Sequence, residues 1–150
     1  MLEGLLEYER AVGSDPEIAQ ARRRGAEYLL ERSMFRRRST GEVADPSFLT
    51  CSFPTRYHYD LLRGLDYLRD AGVTSDERVD DAVRILRDRR QADGTWLLDG
   101  SHAETLDFAF GESPGQPSRW NTLRALRVLR WYGTSQDSTR SAIRSLGDQE

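Results

Sequence analysis

Two stretches of this chain are versions of one helix. Laid over each other from Tyr59 and Trp120, they match without a gap at a spacing of 61 residues (120 − 59). The pairs are Tyr59/Trp120, Asp60/Asn121, Leu62/Leu123, Arg63/Arg124, Gly64/Ala125, Leu65/Leu126, Leu68/Leu129 and Arg69/Arg130. The residues ahead of them, Pro54-Thr55-Arg56 and Pro117-Ser118-Arg119, correspond only when two residues are skipped. A repeated helix with a repeated start constrains the fold to an array of like units, each covering its neighbour's apolar face.

Composition sets the outer limits. At 150 residues the chain is long enough for one domain with a sizeable core, and 37% hydrophobic against 31% charged residues leaves little apolar surface to spare. The net charge of −3 argues against nucleic acid as a partner. All 22 basic residues are arginine. The single Cys51 cannot form an internal disulfide. The start, Met1-Leu2-Glu3-Gly4-Leu5-Leu6-Glu7, carries acids and lacks a basic run followed by an apolar one, so no signal peptide is expected. No run of about 18 apolar residues occurs, so no membrane span is expected. The expectation is a soluble cytoplasmic protein.

Taken in order, Leu2 to Val12 has its leucines on one face and ends at Gly13. Asp15-Pro16-Glu17 is a helix start, with the aspartate as cap and proline in the first turn, and the helix should run to about Arg32. Ser33 to Phe53 reads as an ordered loop anchored by Met34, Phe35, Val43, Phe48, Leu49 and Phe53. The first copy of the repeated helix is expected from Pro54 to about Ala71, with Tyr57, Leu61, Leu65 and Leu68 on one stripe and Gly72 as its stop. Asp76-Glu77 opens the next helix, which fades by Gln91, and Trp96-Leu97-Leu98 is a short extended piece. A second loop anchored by Phe108 and Phe110 leads to the second copy, from Pro117 to a stop at Gly133, with residues 134–150 an unordered tail. The expected domain is thus 1–133, built of two helical hairpins at about 15–72 and 75–133 after one leftover helix.

The run from Leu86 through Gln91-Ala92-Asp93-Gly94-Thr95-Trp96 resembles the repeat of squalene and terpenoid cyclases and of prenyltransferase β subunits. In those repeats a helix ends at a glutamine followed by Gly-x-Trp. Phe35-Arg36-Arg37-Arg38-Ser39-Thr40-Gly41-Glu42 and the Pro117 to Leu126 run are similar to uncharacterised bacterial squalene-cyclase-like proteins. The resemblance implies an all-α fold, a partial α/α toroid of repeated hairpins. It also implies a cavity for an isoprenoid-like hydrophobic ligand and, were the chain an enzyme, a cyclase-like or prenyltransferase-like activity. The chain departs from the family in its chemistry. The acid motif Asp-x-Asp-Asp of those cyclases is met only by Arg78-Val79-Asp80-Asp81, where acids at a helix start suit the helix dipole. Cys51, His58 and Asp60 hold the element types of a zinc site without paired spacing, so neither metal nor cofactor is expected.

The starts of the two repeated helices are the candidate site. Arg56, Tyr57, Tyr59, Arg119, Trp120 and Asn121 would line a ligand cavity, the aromatics facing cationic charge and the arginines gripping phosphate. His58 and Asp60 are the candidate acid–base groups, His58 because its ordinary pKa lies near neutrality. The same residues allow another reading, with the aromatics in the core and the arginines pairing acids between repeats. Two functions therefore stand side by side: binding of a hydrophobic ligand, and a non-catalytic helical scaffold for protein association, including self-association.

Overall fold

The computed structural model of the protein describes residues 1–100 and 111–147, with side chains through residue 134. It is mostly helical. Among the described residues, five α-helices, α1 (Leu2–Val12), α2 (Pro16–Leu30), α3 (Leu61–Asp70), α4 (Asp80–Asp88) and α5 (Arg119–Gly147), are joined by one two-stranded antiparallel sheet, β1 (Trp96–Leu97) and β2 (Pro117–Ser118). His102, Glu104, Phe108 and Phe110 lie outside the described residues.

Local chemistry sets the helix ends. Asp15 caps α2, its Oδ1 accepting from the amides of Glu17 (2.8 Å) and Ile18 (3.2 Å). Gly72 takes φ 69° immediately after α3, a conformation that favours glycine. Asp76 caps a 3-10 turn, Glu77–Val79, that feeds α4. Ser33 and Met34 both adopt positive φ (44° and 73°), which swings the chain off the end of α2. The side chains of Met34 and Phe35 are thereby driven into the core.

Two helices begin or end away from the positions their sequence suggests. α3 starts at Leu61, not Pro54: Asp60 is its cap, and residues 54–59 form an extended turn with a cis Phe53–Pro54 peptide. Tyr57 is therefore off the apolar stripe and 87% exposed. α5 continues through Gly133, the expected stop, to Gly147. Among the described residues no atom outside the local helix backbone lies within 4 Å of where a Gly133 Cβ would project, and an interior glycine costs a helix only about 1 kcal/mol.

The core is one cluster centred on α3. Leu61, Leu62, Leu65 and Leu68 are fully buried, together with Val83 and Leu86 of α4 and Ala125 and Val128 of α5. α1 packs on α2, with Leu2 seated over Gly25, where a Cβ would fall 2.2 Å from its methyl. α3 packs on α5. Ion pairs link α1 to α3: Arg63 to Glu3 (Nε–Oε1 2.9 Å) and Arg10 to Asp70 (2.9 Å). Thus α3 packs on α5 and is tied to α1 by ion pairs. No helix of the described residues is long and apolar enough to cross a membrane.

Gly64 and its counterpart Ala125 differ for a reason that packing supplies. A Cβ on Gly64 would lie 2.5 Å from Tyr59 Oη and 2.8 Å from Met34 Cε. That phenol is tethered, donating to Met34 O at 2.7 Å, so it cannot simply step aside. Gly64→Ala, the residue the other repeat uses, is expected to lower stability by about 1 kcal/mol in urea unfolding. Overpacking of roughly 1–3 kcal/mol outweighs a helix gain of about 1 kcal/mol.

Candidate functional site

The start of α3 is built around a buried carboxylate. Asp60 Oδ1 accepts from Arg63 N (2.7 Å) and Oδ2 from Ser52 N (3.2 Å), so both oxygens are engaged by backbone. Burial pushes its pKa up, opposed by the Arg124 guanidinium and by those two amides. Asp60 is thus a cap that also pins the Cys51–Ser52 segment. The His58 imidazole is exposed and stacked on Tyr57, ring centroids 4.6 Å apart.

The start of α5 solves the same problem differently. Ser118 Oγ accepts from Asn121 N (3.1 Å) and donates to Glu112 Oε2 (2.6 Å), while Glu112 Oε1 accepts from Arg119 N (3.0 Å). The helix therefore begins three residues earlier in the repeat than α3 does (122 − 119). Asn121, counterpart of the cap Asp60, falls inside the helix and is fully buried. Its Nδ2 donates to the carbonyls of Cys51 (2.8 Å) and Leu97 (3.1 Å). Trp120 stacks on Phe53 at 5.2 Å, and Arg119 lies over Trp120.

Between the two starts sits the Gln91–Trp96 motif. Asp93 Oδ1 accepts from Thr95 N (3.0 Å) and Oγ1 (2.7 Å), closing the turn at Gly94, whose φ is 87°. Trp96 is buried; its Nε1 donates to Leu86 O (2.7 Å) and its backbone N to Thr122 Oγ1 (3.0 Å). The motif ties the end of α4 to the first turn of α5.

The cavity beside these residues gathers only part of the expected set. A space of about 310 Å3 is lined by Tyr57 and Tyr59 with Leu2, Glu3, Leu29, Arg63 and Tyr67. Arg56, Arg119, Trp120 and Asn121 are not among its lining residues, so the two helix starts do not share this cavity. Arg63, the guanidinium in this cavity, is already held by Glu3, whose carboxyl it draws below its ordinary range. Arg56 is exposed at φ 50°, its carbonyl accepting from Arg63 Nη1.

The acid, base and thiol chemistry follows from these placements. Among the described residues no group of three or more His, Cys, Asp and Glu is placed to hold a metal ion. Burial, with Asp60 nearby, pushes the Cys51 thiol up to about 12. Native protein is accordingly expected to react with a thiol reagent only as fast as it unfolds, and denatured protein at once. Labelling of the native state within seconds would show Cys51 to be open.

A second surface was not anticipated as a site, although the repeat contains its signal. Arg63 on α3 reaches back to Glu3 on α1; its counterpart Arg124 on α5 reaches back to Asp66 on α3 (Nε–Oδ2 3.6 Å). One arginine position of the repeat thus links α3 to α1 and α5 to α3. Asp66 shares its face of α3 with Leu62, Leu65 and Arg69, spaced i, i+3, i+4, i+7, so this is the face α3 turns toward α5. The matching face of α5 is Leu123, Leu126, Arg127 and Arg130. Leu62 and Leu65 are fully buried, whereas Leu123 and Leu126 are 42% and 45% exposed. At the position of Asp66, α5 carries Arg127.

Comparison of the chain with protein-family models, with curated proteins and with solved structures finds no match in any of the three. What the site can do therefore rests on its own geometry.

Proposed function

We propose that this protein is a structural element of a helical array, a partial α/α toroid, that binds another protein through the open face of α5. The observation that carries this reading is the contrast between Leu62 and Leu65, fully buried, and their counterparts Leu123 and Leu126, nearly half exposed. A face that buries two leucines in one repeat and leaves them in water in the next is an unpartnered helix interface, since burying each is worth roughly 1.5–3 kcal/mol. A catalytic reading has less support. Asp60 spends both carboxylate oxygens on backbone amides, and His58 lies outside the cavity lining. A photocrosslinker placed at position 126 is expected to give a discrete adduct in the source cells. The adduct should vanish with Leu123→Asp and be absent from a probe at Arg84, on the exposed side of α4. No adduct at 126 beyond that at 84 contradicts the proposal.

Binding of an isoprenoid-like ligand is the second reading, favoured by Tyr57, Tyr59 and Tyr67 around the 310 Å3 cavity, a size at the lower end for small-molecule sites. Against a diphosphate head group, Arg63 there is neutralised by Glu3. A saturable thermal shift with farnesyl diphosphate, lost in Tyr59→Ala, would favour this reading; association through α5 predicts no shift.

A further inference from the structure

We propose that the groove between α3 and α5 binds a phosphate monoester. This space of about 360 Å3 is lined by Arg69 of α3 and by Arg127, Arg130, Trp131 and Thr134 of α5, and no carboxylate is among its lining residues. Arg69 and Arg130 occupy one position of the sequence repeat, so the two copies bring the same arginine to the same space. Trp131 forms a fixed wall, because its Nε1 donates to Val73 O at 2.9 Å. Arg69 is likewise held, its Nε donating to Asp66 Oδ1 at 2.8 Å.

The charges beside the groove do not balance. One network of ion pairs joins three acids to three arginines. Arg10 pairs with Glu7 (2.6 Å) and Asp70 (2.9 Å), Arg69 with Asp66 (2.8 Å) and Asp70 (3.6 Å), and Arg124 with Asp66 (3.6 Å). The guanidinia of Arg127 and Arg130 are left over: among the described residues neither forms an ion pair or a hydrogen bond. Asp70 is held ionised chiefly by Arg10, and Arg127 adds to that only from a distance. The repeat makes the contrast direct. Asp66 and Arg69 stand three residues apart on α3 and attract, whereas at the same two positions α5 carries Arg127 and Arg130, which repel. Two neighbouring surplus positive charges match the charge of roughly −1.5 to −2 on a phosphate monoester at neutral pH, and a guanidinium can grip two of its oxygens at once. Trp131 offers its face to an apolar or aromatic group carried by that phosphate. Leu123 and Leu126 are not among the lining residues, so this site does not depend on what those leucines meet.

The test titrates the full chain with phenyl phosphate, inorganic phosphate and benzenesulfonate in a calorimeter at constant ionic strength. Phenyl phosphate should bind saturably, more tightly than inorganic phosphate because of Trp131, and about tenfold or more tightly than benzenesulfonate, which carries a single charge. Arg127→Gln and Arg130→Gln should each weaken phenyl phosphate by about tenfold or more. Trp131→Leu should remove the advantage of phenyl over inorganic phosphate, with Trp131→Phe as the alternate if the leucine variant loses the wild-type circular dichroism spectrum. The pair Arg23→Gln and Arg24→Gln, which removes exposed charge from α2, should leave binding unchanged. Pelleting with phosphatidylcholine vesicles, with and without phosphatidic acid, separates two sources of the same group. Pelleting that needs phosphatidic acid and is lost in Arg130→Gln assigns the phosphate to a lipid head group, and no pelleting assigns it to a soluble ligand. Phenyl phosphate that fails to bind saturably at millimolar concentration overturns the inference, as does an equal loss in the α2 and groove variants.

Discussion

Trp96→Ala is expected to cost about 4 kcal/mol, a large share of what a domain of this size has. The indole is almost wholly buried, and truncating a tryptophan in such a place costs roughly 3–5 kcal/mol. Total stabilities run only to about 5–15 kcal/mol. Position adds to size. Nε1 closes the last turn of α4 by donating to Leu86 O, and the backbone N of the same residue meets Thr122 in the first turn of α5. Losing the ring therefore loosens α4 and α5 together. Trp96→Phe keeps most of the volume and loses the Nε1–H bond, so it should cost about 1–2 kcal/mol. Urea unfolding followed by far-ultraviolet circular dichroism measures both. Similar midpoints for alanine and wild type would mean that the Gln91–Trp96 turn does not organise the fold.

Asp60→Ala is expected to cost about 3 kcal/mol. It removes the α3 cap, worth roughly 0.5–2 kcal/mol, and strands the buried amide of Ser52, worth roughly 1–3 kcal/mol. Asp60→Asn should fall between alanine and wild type, since one amide oxygen still caps Arg63 N but the amide nitrogen cannot accept from Ser52 N. The pH dependence separates the roles. Burial raises the folded pKa of Asp60, so its contribution is fully present below the unfolded value near 3.8 and is lost as pH rises through the folded value. Glu3, Asp70 and Asp76, lowered by hydrogen bonds from Arg63, Arg10 and Arg78, contribute in the opposite sense and are lost as pH falls through their folded values. With Asp60 replaced by asparagine, stability should therefore fall more steeply on acidification than in wild type.

Much of the local structure was legible because short-range chemistry writes it. Asp15-Pro16, Gly72 and Asp76 act where their residue types say they should. Met34, Phe35, Phe48 and Leu49 anchor the 33–53 loop on the core, in keeping with their spacing among turn residues. The helix starts were harder. Pro54 and Tyr57 extend the apolar period of α3 backward, yet Asp60 offers a cap satisfied from both sides, and the chain turns there instead. Gly133 has the residue type of a stop because glycine often ends helices, but only a positive φ makes it one, and α5 passes through.

The candidate site was legible only in part. Tyr57 and Tyr59 do meet at a cavity, but Asn121 is consumed by carbonyls of Cys51, 70 residues away, and Leu97. Contacts at that separation leave no pattern in a local window. The uncovered face of α5 was within reach, since the repeat places Leu123 and Leu126 opposite Leu62 and Leu65 and puts Arg127 where Asp66 stands. Whether such a face is covered depends on a further element packed against α5, and repeat matching alone does not supply one.

Leu65 and Leu126 occupy one position of the repeat, so a single pair of substitutions tests whether α3 is covered and α5 is not. Unfolding in urea at low micromolar concentration, where association is weakest, compares Leu65→Ala with Leu126→Ala. Leu65→Ala should lose roughly 2–5 kcal/mol, as a leucine wholly inside the core does, and Leu126→Ala less than about 1 kcal/mol. Equal losses at the two positions would contradict an open α5 face.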